Sequence, residues 1–218
     1  MKSPTRSKKS AAKSKSRSKS SSRSSRQDAV ALLKADHRKV EGLFKKAEKA
    51  SGSAKEKLVE QICNELIIHT MLEEEIFYPA CRADDVEEDM MDEAQVEHDG
   101  AKILINDLMA ADAESEMYDA KVTVLSEYIK HHVKEEEKPR SGVFAEAKRK
   151  GVDLTGIGEQ LMSRKQELME QAESGGLPAP EPKAVGTDGS GASRGKSDHR
   201  NGGLRQMALA AKRAAFGE

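Results

Sequence analysis

Tryptophan is absent, and aromatic residues make up only 3% of the chain. That scarcity argues against the aromatic-rich, alternating strands of a β-sandwich. No run of about 18 apolar residues occurs, so the sequence contains no helix fit to span a membrane. No apolar stretch follows the N-terminus, which argues against export and gives a cytoplasmic protein as the expectation. Only two cysteines are present, Cys63 and Cys81, and they form no CxxC pair. They read as small buried thiols in a reducing compartment, not as a disulfide framework.

Charge is plentiful, at 34% of residues. Together with Leu, Ile, Val, Ala and Met it suits a bundle of amphipathic helices. The net charge of −1 hides an asymmetry. Residues 1–26 carry ten Lys or Arg and no acid, whereas 27–173 carry 20 basic and 34 acidic residues. An acidic body thus bears a basic arm. The arm, MKSPTRSKKSAAKSKSRSKSSSRSSR, has too little apolar surface to offset its ordering entropy and is expected to be disordered. A basic arm of this kind can contact nucleic acid through phosphates, or act only as a solubilising tail.

From Gln27 the apolar residues adopt a helical period. Four helices are expected, over roughly 27–50, 54–79, 88–111 and 116–138. They are separated by SGS at 51–53, by the stretch after Pro79, and by a polar link near 112–115. Long amphipathic segments joined by short links predict an all-α, up-down four-helix bundle over 27–150. Pro139 is placed to end or kink the fourth helix, after which SGVFAEAKRKG can resume as helix. An additional helix is expected within 151–173. Residues 174–218 read as a Gly/Pro-rich disordered linker ending in a short basic segment, LRQMALAAKRAAF.

Of six histidines, four fall on inner faces, one per bundle helix. His37 shares a face with Val30, Leu33, Val40 and Phe44. His69 and Glu73 align with Leu58, Ile62, Leu66 and Ile76. His98 is in register with Met91, Ala94, Ala101 and Ile105, and His132 and Glu136 with Leu125, Tyr128 and Ile129. Two unpaired carboxylates in a dry core would cost several kcal/mol each. Cations remove that cost, and imidazole with carboxylate suits iron, manganese or zinc. The competing reading leaves Glu73 and Glu136 solvated within the acidic runs 73–75 and 135–137. No HExxH motif is present, and no histidine has a Glu three residues before it, as the ferritin-like di-iron bundles require.

The order His, HxxxE, His, HxxxE resembles the hemerythrin-like, or HHE cation-binding, domain. The resemblance rests on DHRKVEGLF around His37, IHTMLEEEIFYP around His69 and Glu73, VEHDGAKILI around His98, and YIKHHVKEEE around His132 and Glu136. It implies a four-helix bundle holding a non-haem di-iron centre, with His37, His69, Glu73, His98, His132 and Glu136 as ligands and the carboxylates bridging. Oxygen-carrying hemerythrins use a further histidine one turn after the one that His98 resembles. Lys102 stands there, which favours cation binding over oxygen carriage. Glu41, one turn after His37, is a candidate seventh ligand or a hydrogen-bond acceptor behind the site. His131 points away from His132, and Phe144 comes later in its module than Phe77 does in the first.

Three functions follow as expectations. The first is a protein with two iron ions (manganese or zinc being the other candidates) that binds or senses O2, NO or peroxide, or buffers iron. The second is a di-iron enzyme consuming peroxide. The third is an acidic architectural bundle contacting nucleic acid through its basic tails, residues 1–26 above all, and holding no stoichiometric metal.

Overall fold

The computed structural model describes residues 28–185, together with Met1. The basic arm expected at 1–26, its expected nucleic-acid contact and the basic segment near the C-terminus lie outside the described residues.

The first helix, α1 (Ala29–Ala47), starts where Asp28 accepts a hydrogen bond from the Ala31 amide at 2.7 Å, satisfying one of the free N–H groups of the first turn. Leu33, His37, Val40 and Phe44 recur at helical spacing on its buried face, and Lys45 and Lys46 in its last turn complement the helix dipole. After a short link comes α2 (Gly52–Leu72), then a π-helical turn (Glu73–Phe77) that runs on into α3 (Tyr78–Ala83). The remaining helices are α4 (Glu88–Ala110), α5 (Tyr118–Glu136), α6 (Val143–Lys150) and α7 (Leu154–Ser174). No strand occurs among the described residues.

Helices α1, α2, α4 and α5 form the up-down four-helix bundle: α1 packs on α2, α2 on α4, α4 on α5, and α5 back on α1. Their interior has three layers. One apolar cluster is built from Leu33, Leu72, Phe77, Met91 and Phe144 among others, and a second from Val40, Phe44, Ile62, Ile105 and Leu125. On α1 and α4 the histidines fall between residues of the two clusters, His37 between Leu33 and Val40 and His98 between Ala94 and Ala101.

Two expectations are corrected. The second helix does not end at Pro79. It passes through a wider turn and continues to Ala83, with Pro79 near the start of α3, where a missing N–H is tolerated. The chain after Ser174 does not begin as free linker either. Residues 175–185 lie against α4, with the Asn106 amide donating to the Pro180 carbonyl at 2.8 Å.

The helix expected within 151–173 is α7, and it packs on α1 and α2. Its Leu161 and Leu168 are fully buried in the first apolar cluster, so it shares the bundle's core. Between α5 and α6 the chain folds back at Gly142, where a Cβ would run into the backbone carbonyls of Glu135 and Glu136. This tight return brings Phe144 against His37 of α1 and Phe77.

Candidate metal centre

Spacing of four residues on α2 sets His69 and Glu73 on one face, and the same spacing on α5 does so for His132 and Glu136. His69 Nε2 lies 3.2 Å from Glu73 Oε2, and His132 Nε2 lies 3.5 Å from Glu136 Oε2. Helices α1 and α4 bring His37 and His98 from across the bundle. His37 Nε2 meets His69 Nε2 at 3.1 Å, and His98 Nε2 meets His132 Nε2 at 3.2 Å. The two pairs are joined by the carboxylates. Glu73 Oε2 also faces His98 Nε2 at 3.3 Å, and Glu136 Oε2 faces His37 Nε2 at 3.4 Å. Ligand-capable atoms of His37, His69, Glu73 and Glu136 lie within 4.8 Å of one another, as do those of Glu73, His98 and His132. All six residues singled out from the sequence are therefore brought together, and all are buried.

Behind this layer stands a ring of carboxylates that the sequence reading did not pick out. Glu137 Oε1 accepts from His37 Nδ1 at 2.9 Å, Glu74 Oε1 from His98 Nδ1 at 3.0 Å, and Glu97 Oε2 from His132 Nδ1 at 2.9 Å. Asp36 faces His69 Nδ1 at 3.9 Å, an electrostatic contact too long for a hydrogen bond. A signal for this ring was present: each member is the sequence neighbour of an inner residue, at positions 36, 74, 97 and 137. The carboxylates fix the tautomer. On His37, His98 and His132 the carboxylate holds the proton of the neutral ring on Nδ1, so that when the ring is neutral its Nε2 presents a lone pair inward.

Cations back the ring in turn. Arg38 and Lys34 hold Glu137, Lys165 of α7 holds Asp36, Lys102 and Lys183 hold Glu74, and His131 approaches Glu97 at 3.4 Å. The Glu137 carboxyl is drawn down to about 2, first by its hydrogen bonds with Arg38 and then, against burial, by His37. Burial pushes the Glu74 carboxyl up, but bonds from His98, Lys102 and Lys183 outweigh it and bring it to about 2. In the inner layer, burial acts to lower the His69 pKa. The charge of Glu73 overcomes this and raises it to about 10.

Tyr78 is the second group that the sequence did not reveal. In an α-helix a residue five positions on points about 140° away. The π turn between Glu73 and Tyr78 closes on an i→i+5 bond and swings Tyr78 back toward the same face. Its hydroxyl donates to Glu136 Oε1 at 3.0 Å and approaches Glu73 Oε2 at 3.4 Å. Burial, then the charges of Glu136 and Glu73, push its pKa well up, so it stays a neutral donor. Phe144 of α6 stacks on His37 at 5.8 Å and meets Phe77 edge-on at 5.6 Å, so the two modules' phenylalanines close one end together.

Other sequence candidates stand elsewhere. Glu41 is exposed and paired with Lys45 at 2.6 Å, so it joins neither cluster. A helix turns about 100° per residue, and position 41 falls toward the surface once His37, Val40 and Phe44 face inward. His131 is largely exposed. Lys102 is buried but is turned onto Glu74 and Asp99, not onto the inner layer.

The donor set fits a pair of cations. With Nδ1 protonated, His37 and His69 would face each other lone pair to lone pair at 3.1 Å, and His98 and His132 at 3.2 Å. Metal–imidazole bonds of about 2.1 Å at near right angles span about 3 Å between the two nitrogens. Glu73 Oε1 and Glu136 Oε2 are buried without a hydrogen-bond partner, an arrangement that costs free energy unless a cation compensates it.

A helical bundle carrying two merged histidine–carboxylate clusters in its core is a cation-binding bundle. The family model for the hemerythrin HHE cation binding domain matches residues 28–139, and the chain belongs to that family. Its fold is also that of a hemerythrin HHE cation binding domain-containing protein from Mycobacterium kansasii, known from a crystal structure. The two share 22% sequence identity at a TM-score of 0.57, over 69% of this chain and 94% of that one. No curated protein matches the chain.

Proposed function

We propose that the chain binds two non-haem iron ions side by side and presents them to a small ligand. His37, His69, Glu73 and Glu136 form one set, and Glu73, His98 and His132, with Glu136 alongside, form the other. The observation that carries this reading is the two pairs of facing Nε2 atoms, with His37, His98 and His132 turned inward by a carboxylate bonded at Nδ1. Nitrogen and oxygen donors in this ratio suit iron, manganese or zinc, and family membership favours iron. When bound, such a pair supplies one-electron chemistry and a place for a diatomic molecule or peroxide.

The chain's own part is to orient and to exclude water. Glu97, Glu74 and Glu137 hold the rings, Tyr78 holds Glu136, and Phe144 and Phe77 keep solvent from the His37 side. Lys102 is the only buried Lys or Arg among the described residues, and Glu74 and Asp99 occupy it. An organic anion therefore has no anchor at the inner layer, which favours O2, NO or peroxide as the ligand, or iron storage, over an organic substrate.

Anaerobic titration with iron(II), followed by elemental analysis, tests the proposal. Saturation at two ions per chain is expected, and saturation well below one would overturn it. Mixing the reduced, loaded protein with O2, NO or peroxide should produce a new absorption band. No change with any of the three would leave storage as the role.

A further inference from the structure

The two halves of the site are near-equivalent, and one difference between them is informative. Arg38 follows His37 and grips Glu137 at 2.6 Å, so the carboxylate holding His37 is fixed from the same helix. The residue that follows His98 is instead an acid, Asp99, fully buried on α4. Its Oδ2 accepts three consecutive backbone amides, from Lys183, Ala184 and Val185, at 2.8, 2.5 and 2.9 Å. The strap so captured lays the Lys183 ammonium on Glu74 Oε2 at 2.8 Å, and Glu74 is the carboxylate that holds His98. Glu137 thus takes both of its cations, Arg38 and Lys34, from α1, whereas Glu74 takes one, Lys102, from α4 and recruits the second from the strap. Leu177, packed against both apolar clusters, and the bond from Asn106 to the Pro180 carbonyl fix the strap's course.

We propose that residues 175–185 are a clasp on the His98 side of the metal centre, with Lys183 a positioning residue that acts through Glu74. Asp99 is the catch: three charge-assisted hydrogen bonds to one carboxylate oxygen hold the segment in register. Asp99 Oδ1 is held by Gln95 and Lys102 of its own helix, but Oδ2 keeps its partners only while the strap stays on, and Glu74 keeps its second cation on the same condition. Displacing the strap therefore loosens the ion held by His98 and His132 before the one held by His37 and His69. The consequence for metal rests on the two-ion reading above; the consequence for the His98 ring does not.

The test uses the full chain, the variants Lys183→Met and Lys183→Arg, and a chain ending at Ser174. Lys183 has a largely exposed side chain, so Lys183→Met should melt close to the parent. In the metal-free proteins, ring ¹H–¹⁵N spectra read the Nδ1 proton of each histidine, with His37 as the internal control. Lys183→Met should speed solvent exchange at His98 Nδ1 and leave His37 unchanged. Lys183→Arg should restore it, and removing the strap should enlarge the effect. In competition titrations with iron(II), Lys183→Met should weaken one of the two ions by about threefold to tenfold, less than the roughly 10–100-fold of losing a directly holding carboxylate. Unchanged exchange at His98 in both Lys183→Met and the shortened chain would overturn the proposal. So would equal changes at His98 and His37, which report a loosened bundle. If the parent binds no metal, the two-ion reading falls and the ring spectra still decide the clasp.

Discussion

His37 and Glu137 lie 100 residues apart in the chain and 2.9 Å apart in space. The contact joins the first helix of the bundle to the last, and it repeats in mirror order: Glu74, next to Glu73, holds His98. The first histidine of each half is oriented by the other half's outer carboxylate, whereas His132 is held within its own half by Glu97.

Replacing Glu137 by Ala should therefore weaken metal binding by about 10–100-fold while the bundle remains folded, because Glu137 is only partly buried and its loss frees the His37 ring. Competition against a chelator of known affinity measures it. Glu135→Ala, two residues away and paired with Lys138, is the matched control and should change little. Equal affinity in the parent and Glu137→Ala would show that the ring needs no holder.

Metal should raise the melting temperature, since it binds the folded chain and not the unfolded one. Free metal at a hundred times its Kd contributes about 2.7 kcal/mol. His69→Ala and His132→Ala should each lose most of that gain, and His199→Ala, outside the described residues, should keep it. Scanning calorimetry with and without iron(II) reads the difference, and three variants responding alike would contradict the ligand assignment.

The metal-free chain should lose stability at both ends of the pH scale. Glu74 and Glu137 have folded pKa values of about 2, below the ordinary 4.5. Their contribution is complete above pH 4.5 and is lost as pH falls through about 2. His69 is raised from 6.5 to about 10, so its contribution is complete below pH 6.5 and is lost as pH rises through about 10. Urea midpoints between pH 2 and 10 test both limbs. Lys102→Met and Lys183→Met should flatten the acid limb by removing Glu74's cations.

The same raised histidines make metal uptake a proton-releasing event. Against the effect of burial, Glu73 raises the His69 pKa to about 10 and Glu136 raises that of His132, and a ligating imidazole must be neutral. Iron(II) titration in weak buffer at pH 8 should release about one proton from each. Uptake without proton release would mean that these two rings do not bind the metal.

The inner six residues were legible in the sequence because helical periodicity is local. Positions four apart must share a face, and an apolar seam leaves few places for His69 or His132 to point. The up-down bundle was legible for the same reason. What could not be read was anything set between helices. Glu74 and Glu137 stand within the acidic runs 73–75 and 135–137, where being next to an inner residue does not separate Glu137, which turns in, from Glu135, which turns out to Lys138. Glu41 was counted on the inner face because a stripe about 100° wide does not fix its own edge. Tyr78 was hidden by the π turn, which alters the angular register by one residue partway along a helix. The strap was hidden by composition: a Gly/Pro-rich segment carries no periodicity, and only the buried Asp99 shows that it has a seat.

The crossing of holders between halves has a consequence for how the protein can be divided. One cluster takes three residues from the first helical pair and one from the second, and the other needs Glu73 from the first pair to complete two histidines from the second. Cut the chain in the link between Ala110 and Tyr118, and α4, with His98, stays on one piece while His132 and Glu136 leave on the other. Neither fragment then owns a finished pocket for even one ion. Metal should act as the glue of such a split protein. Added to the two pieces, it rewards only their reunion, so loading and reassembly become a single cooperative event, with no half-built, half-filled form in between.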